Sequence, residues 1–171
     1  MIHDTNNYWE QLERLEKLIK ASELKAGLIF SFHNLTLGLF IDRIDNFEPI
    51  LAENKLFIPL SILWIISILI SIYYCFMCFR PKFELKYDLN VFFFKDATSK
   101  FGSVDEYSKK LIHTCKSEEQ IVKQLSQQIH AESVIIDRKF YNVKWAIFYF
   151  IISFIFILLM IFTWVIFNIF F

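Results

Sequence analysis

WAIFYFIISFIFILLMIFTWVIFNIFF, the run from Trp145 to Phe171, is 27 residues long and contains no Asp, Glu, Lys, Arg, His, Pro or Gly. The hydrocarbon core of a bilayer is about 30 Å thick, and about 20 helical residues are enough to span it. The phenylalanines of this run lie on all sides of a helix, which suits contact with lipid. We therefore predict a transmembrane helix over residues 145–171.

The composition is that of a membrane protein. Of the 171 residues, 56% are hydrophobic, and only three are Gly and three Pro, which favours long helices over turns. The 18 basic and 18 acidic residues balance, so the overall charge indicates no polyanionic partner. Three cysteines make no disulfide framework, and Cys75 and Cys78 lie in an apolar run without a second pair of ligands. We predict no metal site and no cofactor.

Two further apolar runs precede the last one. Residues 56–79 are 24 residues without a charge, which is long enough for a span. Residues 26–41 are 16 uncharged residues, slightly short for a span, but they follow an amphipathic helical pattern directly. We predict an amphipathic cytoplasmic helix over 1–25, transmembrane helices over 26–41 and 56–79, and an external loop over 42–55.

Polar residues lie in the middle of the first apolar run, at His33, Asn34 and Thr36. Polar groups inside a membrane tend to face the interior of a helix bundle or a water-filled path. These three residues therefore indicate either the lining of a pore or hydrogen bonds that hold helices together.

The residues from Arg80 to Lys144 form a 65-residue segment with twelve Lys/Arg and nine Asp/Glu. Short flanks rich in Lys and Arg stay in the cytoplasm, and both ends of this segment are basic. We predict a cytoplasmic helical segment over 80–144, with the N-terminus of the chain inside as well.

Two capping boxes predict helix starts within this segment, at Ser103-Val-Asp-Glu106 and at Ser117-Glu-Glu-Gln120. No Pro or Gly occurs from Glu118 onward, so the second helix is predicted to continue into the last span. The predicted fold is an all-α membrane protein with three transmembrane helices, a cytoplasmic helical layer and one long C-terminal helix. An amphipathic helix of that length must pack on other helices, which favours a homo-oligomer.

Three short motifs, in order between the apolar runs, resemble the Pycsar effector transmembrane family. They are SELKA at Ser22–Ala26, FFKDA at Phe93–Ala97, and QIH at Gln128–His130 with RKF at Arg138–Phe140. The resemblance covers roughly Tyr8 to Val165. Two positions depart from the family pattern: Lys95 stands where Gly is common, and Glu23 replaces Asp.

The resemblance implies an antiphage effector of the bacterial inner membrane, controlled by a nucleotide messenger from a partner cyclase or nucleotidyltransferase. The messenger would be a cyclic nucleotide or a nucleotide oligomer, and a short oligonucleotide that holds the effector inactive is also compatible. The effector would then permeabilise the membrane as a channel or pore. Such control requires that the ligand bind two states with different affinity.

Phosphate recognition in the cytoplasm would require cations near aromatic rings. The candidates are Lys95, Lys100, Lys109, Lys110, Arg138 and Lys139, for which the alternative is a solvated surface or a topology signal. The chain contains no G-x-S-x-G, H-E-x-x-H, Walker or G-x-G-x-x-G motif, so we predict no catalytic residues.

Two other function classes fit the same sequence. One is a membrane scaffold or subunit without gating, in which His33, Asn34 and Thr36 serve assembly alone. The other is a holin-like lytic protein, which would be toxic without a partner or a messenger.

Overall fold

The computed structural model describes residues 5–45, 56–80 and 89–170, with side chains as far as Ile166. The helices in these ranges are α1 (Asn6–Asp42), α2 (Phe57–Phe79), α3 (Phe94–Ser99), α4 (Val104–Cys115) and α5 (Glu118–Phe170), and no β-strand occurs in them. Most of the predicted external loop, residues 46–55, and the start of the predicted cytoplasmic segment, residues 81–88, lie outside the described residues.

Three of the helices, α1, α2 and α5, are long and apolar enough to cross a membrane. This confirms the predicted all-α membrane fold with three spans. Helix α5 has 53 residues and rises about 80 Å, because it contains no Pro or Gly that would interrupt it. The predicted long C-terminal helix, continuous with the last span, is confirmed.

Local interactions support the polar half of α1. Lys17 lies 2.6 Å from Glu13, and Lys20 lies 2.6 Å from Glu16, each one helical turn apart. Both pairs are exposed to solvent, which screens them, so each contributes little to the stability of the helix. Residues 6–42 nevertheless form one helix, in which the amphipathic segment continues directly into the first apolar run.

The predicted start of α4 is correct, with one difference in its capping box. Ser103 Oγ accepts a hydrogen bond from the Glu106 amide at 3.3 Å, as predicted. Glu106 Oε2, however, accepts from the amide of Gly102 at 3.0 Å, one residue before the position expected for the reciprocal bond. At α5, Ser117 Oγ likewise accepts from the Gln120 amide, at 3.4 Å.

The chain divides into two compact units. The first, here the extramembrane unit, comprises Met1–Ala21 and Pro81–Asp137, and the second, the spanning unit, comprises Ser22–Arg80 and Arg138–Phe171. Among the described residues, the buried apolar side chains of the extramembrane unit are Leu15, Val91, Phe93, Leu125, Ala131 and Ile136. Helices α1 and α5 each contribute residues to both units.

Small residues let the helices of the spanning unit approach closely. Its first buried cluster contains Ala26, Ile29, Cys75, Cys78, Val143 and Ala146. A second cluster, of Phe57, Trp64, Ile68 and Met160, has larger side chains. Ser71 Oγ also donates a hydrogen bond to the carbonyl oxygen of Ala146 at 2.9 Å, an interhelical bond of the kind found between membrane helices.

Candidate functional site

The extramembrane unit contains an open cleft of about 460 Å³, here the aromatic cleft. Its lining residues come from α1, from the segment leading into α3 and the first residue of α3, and from α5. They are Trp9, Leu12, Glu13, Glu16, Ile19, Phe92, Phe93, Phe94, Gln128, Glu132 and Ile135. Small-molecule sites in proteins have volumes of about 300–1,000 Å³ and mainly apolar walls with a few polar groups. The aromatic cleft has both properties.

Three of the lining residues, Phe92 to Phe94, form one side of the cleft, here the phenylalanine wall. Asn90 connects this wall to α5 by hydrogen bonds. Its Nδ2 donates to the carbonyl oxygen of Gln124 at 2.8 Å and to Gln127 Oε1 at 3.4 Å. Its Oδ1 accepts from the amide of Phe92 at 2.9 Å. Asn90 is only 4% exposed, so these bonds are shielded from water and fix the backbone conformation at Phe92.

Further hydrogen bonds continue this network along residues 90–96. The backbone amide of Asn90 donates to Asp96 Oδ2 at 3.0 Å, and the amide of Val91 donates to Gln124 Oε1 at 3.0 Å. Tyr107 from α4 donates its hydroxyl proton to the carbonyl oxygen of Val91 at 3.2 Å. Residues 90 and 91 are therefore hydrogen-bonded to α3, α4 and α5.

An aromatic contact links the phenylalanine wall to α1. The rings of Trp9 and Phe92 meet edge to face, with centroids 5.7 Å apart. Phe93 is buried in the extramembrane unit, whereas Phe92 packs on Trp9.

Two polar side chains of α5 face each other along the cleft. Gln128 Nε2 donates to Glu132 Oε1 at 2.9 Å, one turn apart on the helix. Gln128 Oε1 and Glu132 Oε2 are buried and have no hydrogen-bond partner. Burial raises the pKa of the Glu132 carboxyl; the hydrogen bond from Gln128 opposes that rise, and the charge of Glu16 adds to it. This end of the cleft presents hydrogen-bond acceptors.

The replacement Glu132→Gln is expected to increase the free energy of unfolding at pH 7.5 by about 1 kcal/mol, because it removes a buried, unpartnered charged oxygen. A carboxyl whose pKa is raised by folding stabilises the protein when protonated, and that contribution is lost as the pH rises through the folded-state pKa. The gain should therefore shrink as the pH is lowered towards about 4. Thermal unfolding in detergent at several pH values measures it.

Glu13→Gln is the matched control, because Glu13 lines the same cleft but is exposed, and Lys17 lowers its pKa. Its contribution has the opposite sign: it is present above the unfolded-state pKa and is lost as the pH falls. A Glu132→Gln gain that did not change with pH would contradict the assignment of a destabilising buried charge.

The predicted phosphate-binding cations are divided between the two units. Lys95, Lys100, Lys109 and Lys110 belong to the extramembrane unit and are exposed, and Lys100 lies 3.0 Å from Asp96 Oδ1. Arg138, in the spanning unit, is exposed as well. Among the described residues that line the aromatic cleft there is no Lys or Arg.

Lys139 is buried in the spanning unit. Its Nζ donates to Glu23 Oε1 at 2.8 Å and to the carbonyl oxygen of Cys78 at 2.6 Å. Its side chain is 9% exposed, against 41% for Glu23. Because Glu23 lies on α1 and Cys78 near the C-terminal end of α2, one ammonium group of α5 joins all three spanning helices. A cation is also favourable at a helix C-terminus.

His33, Asn34 and Thr36 do not share one face of α1. His33 is 1% exposed, with its ring centroid 5.3 Å from that of Phe150, and its Nε2 has no hydrogen-bond partner. Thr36 is half-buried and donates to the carbonyl oxygen of His33 at 3.0 Å. Asn34 is exposed, and its Nδ2 donates to the carbonyl oxygen of Phe30 at 3.0 Å.

Glu132 and Trp9 were not singled out as site residues by the sequence analysis. The available signal was weak: Gln128 and Glu132 are four residues apart, which places two polar groups on one side of α5. Within the described ranges, no group of three or more His, Cys, Asp or Glu is placed to hold a metal ion.

A family model described as the Pycsar effector protein domain matches residues 7–166. The chain is also similar to the Pycsar effector protein PtPycTM of Propioniciclava tarda. The two are 23% identical over 141 residues, which cover 81% of this chain and 69% of that protein. No solved structure matches the chain.

Proposed function

The chain belongs to the Pycsar effector protein domain family, a family of antiphage membrane effectors, and from this membership we propose that a nucleotide signal controls it and that it permeabilises the bacterial inner membrane as an oligomer. A partner cyclase or nucleotidyltransferase would make the signal, either a cyclic nucleotide or a nucleotide oligomer. The N-terminus would lie in the cytoplasm, because the basic residues Arg80 and Arg138 flank the spans on that side.

The observation that carries this proposal is the aromatic cleft, because two of the helices that line it continue into spans. Helix α1 contributes Trp9 to Ile19 and then forms the first apolar run, and α5 contributes Gln128 to Ile135 and then forms the last. A ligand that binds one state more tightly shifts the equilibrium towards that state. Binding in the cleft acts directly on two of the three membrane-crossing helices.

The exposed cations remain the proposed contacts for phosphate. Lys95 directly follows the cleft residue Phe94, and Lys100, Lys109 and Lys110 belong to the same unit. Lys139 would first have to leave Glu23 and the Cys78 carbonyl, so it is the least available of the six.

The exposed Asn34 supports self-association. It lies in the middle of the first apolar run, with exposed Ser31 and Gly38 on nearby turns. A polar side chain facing lipid is unfavourable, and small residues let a second helix approach closely. We propose that further copies of the chain cover this face and that Asn34 contributes to the lining of the pore.

The test is leakage of a trapped dye from liposomes that contain the purified protein, with and without a panel of cyclic and linear nucleotides. We expect leakage to change at least tenfold with one nucleotide, in a saturable manner. Inserted, oligomeric protein that gives no nucleotide-dependent leakage would favour a membrane scaffold. Full leakage without any nucleotide, together with toxicity of the protein alone, would favour a holin-like function.

Asn34→Leu separates the pore from the nucleotide response in this assay. The variant should insert and bind nucleotide but leak at least tenfold less, because the polar group is lost. Leu35→Ala is the matched control, since Leu35 is exposed and adjacent on the same helix but is not polar. Unchanged leakage from Asn34→Leu would place the pore elsewhere.

A further inference from the structure

The hydrogen-bonding character of the aromatic cleft indicates which part of a ligand it accepts. We propose that the cleft holds the heterocyclic base of the controlling nucleotide, with the phosphate outside it, and that Gln128 and Glu132 select a base bearing an amino group. This inference rests on the proposed function, in which a nucleotide controls the chain.

The shape and the walls of the cleft suit a flat ring. Four aromatic side chains line it, and Trp9 and Phe92 already meet edge to face at 5.7 Å. Aromatic side chains that stack on a base are the common device for binding unpaired bases. The volume of about 460 Å³ is sufficient for a nucleoside.

The charges of the lining exclude the phosphate. The described lining contains three carboxylates, those of Glu13, Glu16 and Glu132, and neither Lys nor Arg. Lys17 and Lys20 offset the first two carboxylates from outside the cleft. A phosphate within the cleft would therefore meet like charge without a direct cationic partner.

The acceptors at the α5 end are fixed in orientation. Gln128 uses one of its two Nε2 N–H donors on Glu132 Oε1 at 2.9 Å, so a flip of the amide would set two oxygens against each other. Gln128 Oε1 and Glu132 Oε2 remain, and both lack a partner. A ligand that supplies N–H donors satisfies them.

An exocyclic amino group has two N–H bonds, one for each of these acceptors, whereas a keto base supplies only the single N–H of its ring nitrogen and sets its keto oxygen against the other acceptor. Carboxylates accept hydrogen bonds from the amino group of cytosine, and a good pairing of this type discriminates between bases. A site with buried acceptors rejects an analogue that leaves them unpaired. We expect the amino-bearing member of a matched pair of nucleotides to bind about tenfold more tightly, or better.

The test is calorimetric binding to the full-length protein in nanodiscs, using pairs that differ at this group and at the protonation of the adjacent ring nitrogen. The pairs are the 3′,5′-cyclic monophosphates of cytidine and uridine, and those of adenosine and inosine, with the linear 5′-monophosphates in parallel. Spermidine serves as a probe for a simple organic cation. We expect the cytidine or the adenosine compound, or both, to bind at least tenfold more tightly than the keto partner.

Glu132→Gln should reduce the ratio within the bound pair to less than about threefold, because an amide presents a donor as well as an acceptor. Glu119→Gln should keep the ratio and is the matched control, because Glu119 is an exposed carboxylate of α5 in the same unit and does not line the cleft. Circular dichroism shows that each variant is folded. An unchanged ratio in folded Glu132→Gln would overturn the assignment of Glu132.

The other outcomes separate this inference from the function on which it rests. Nucleotides that bind and change leakage without an amino preference, or with a keto preference, would overturn the inference alone. Binding of spermidine with no nucleotide binding, together with no nucleotide-dependent leakage, would overturn both.

Discussion

Replacing Asn90 by leucine is expected to reduce the free energy of unfolding of the extramembrane unit by about 3 kcal/mol. Its side chain makes three hydrogen bonds, to the Gln124 carbonyl, to Gln127 and to the Phe92 amide. Each such bond contributes about 1 kcal/mol, and the groups left behind are shielded from water. Leucine has a similar volume, so the loss reports the polar bonds rather than a cavity.

The same replacement should weaken the proposed nucleotide response, because Asn90 sets the position of the phenylalanine wall. Hydrogen exchange measures how firmly the start of the phenylalanine wall is held. The amides of Val91 and Phe92 should lose protection, since their acceptors are Gln124 Oε1 and Asn90 Oδ1. Thr98→Ala is the matched control, because Thr98 is exposed and bonds only locally, to the Lys95 carbonyl at 3.1 Å. We expect the control to lose less than about 0.5 kcal/mol.

An Asn90→Leu variant as stable as the Thr98→Ala control would show that the network does not hold residues 90–96. If stability fell but protection of Phe92 persisted, the loss would have to arise elsewhere in the extramembrane unit.

The spans and the long C-terminal helix were predictable because they depend on local pattern. The run from Trp145 to Phe171 has no breaker and no charge, and the chain from Glu118 onward contains no Pro or Gly. The helix start at Ser103 was predictable for the same reason, since its capping bonds connect residues within four positions. Structure that depends on interactions between residues close in sequence can be predicted from a single sequence.

The aromatic cleft was not predictable, because it is formed by segments far apart in the chain. Asn90 bonds to Gln124 and Gln127, more than thirty residues away, and Trp9 meets Phe92 across an even larger separation. No periodicity encodes such pairings. The candidate cations were chosen by residue type alone. In the structure one of them, Lys139, is paired with Glu23, 116 residues earlier.

Replacing Lys139 by methionine is expected to reduce the free energy of unfolding of the spanning unit by about 2 kcal/mol. Methionine retains the length and apolar stem of the side chain, so what is removed is the ammonium group bonded to Glu23 and the Cys78 carbonyl. A hydrogen bond with a charged partner contributes about 1.5–3 kcal/mol. The expected loss in the free energy of unfolding is near the lower end of this range, because Glu23 is 41% exposed and is solvated by water once Lys139 is replaced.

Thermal unfolding in detergent measures the loss, with Lys144→Met as the matched control on an exposed position of the same helix. A double-mutant cycle then isolates the pair. Once the ammonium is absent, Glu23→Gln should have a smaller effect than in the parent protein, because the two residues share one interaction. Additive losses, or equal losses for Lys139→Met and Lys144→Met, would show that the ion pair contributes nothing measurable. A coupling of about 1 kcal/mol or more would show that the Lys139–Glu23 pair holds α5 to α1 in the spanning unit.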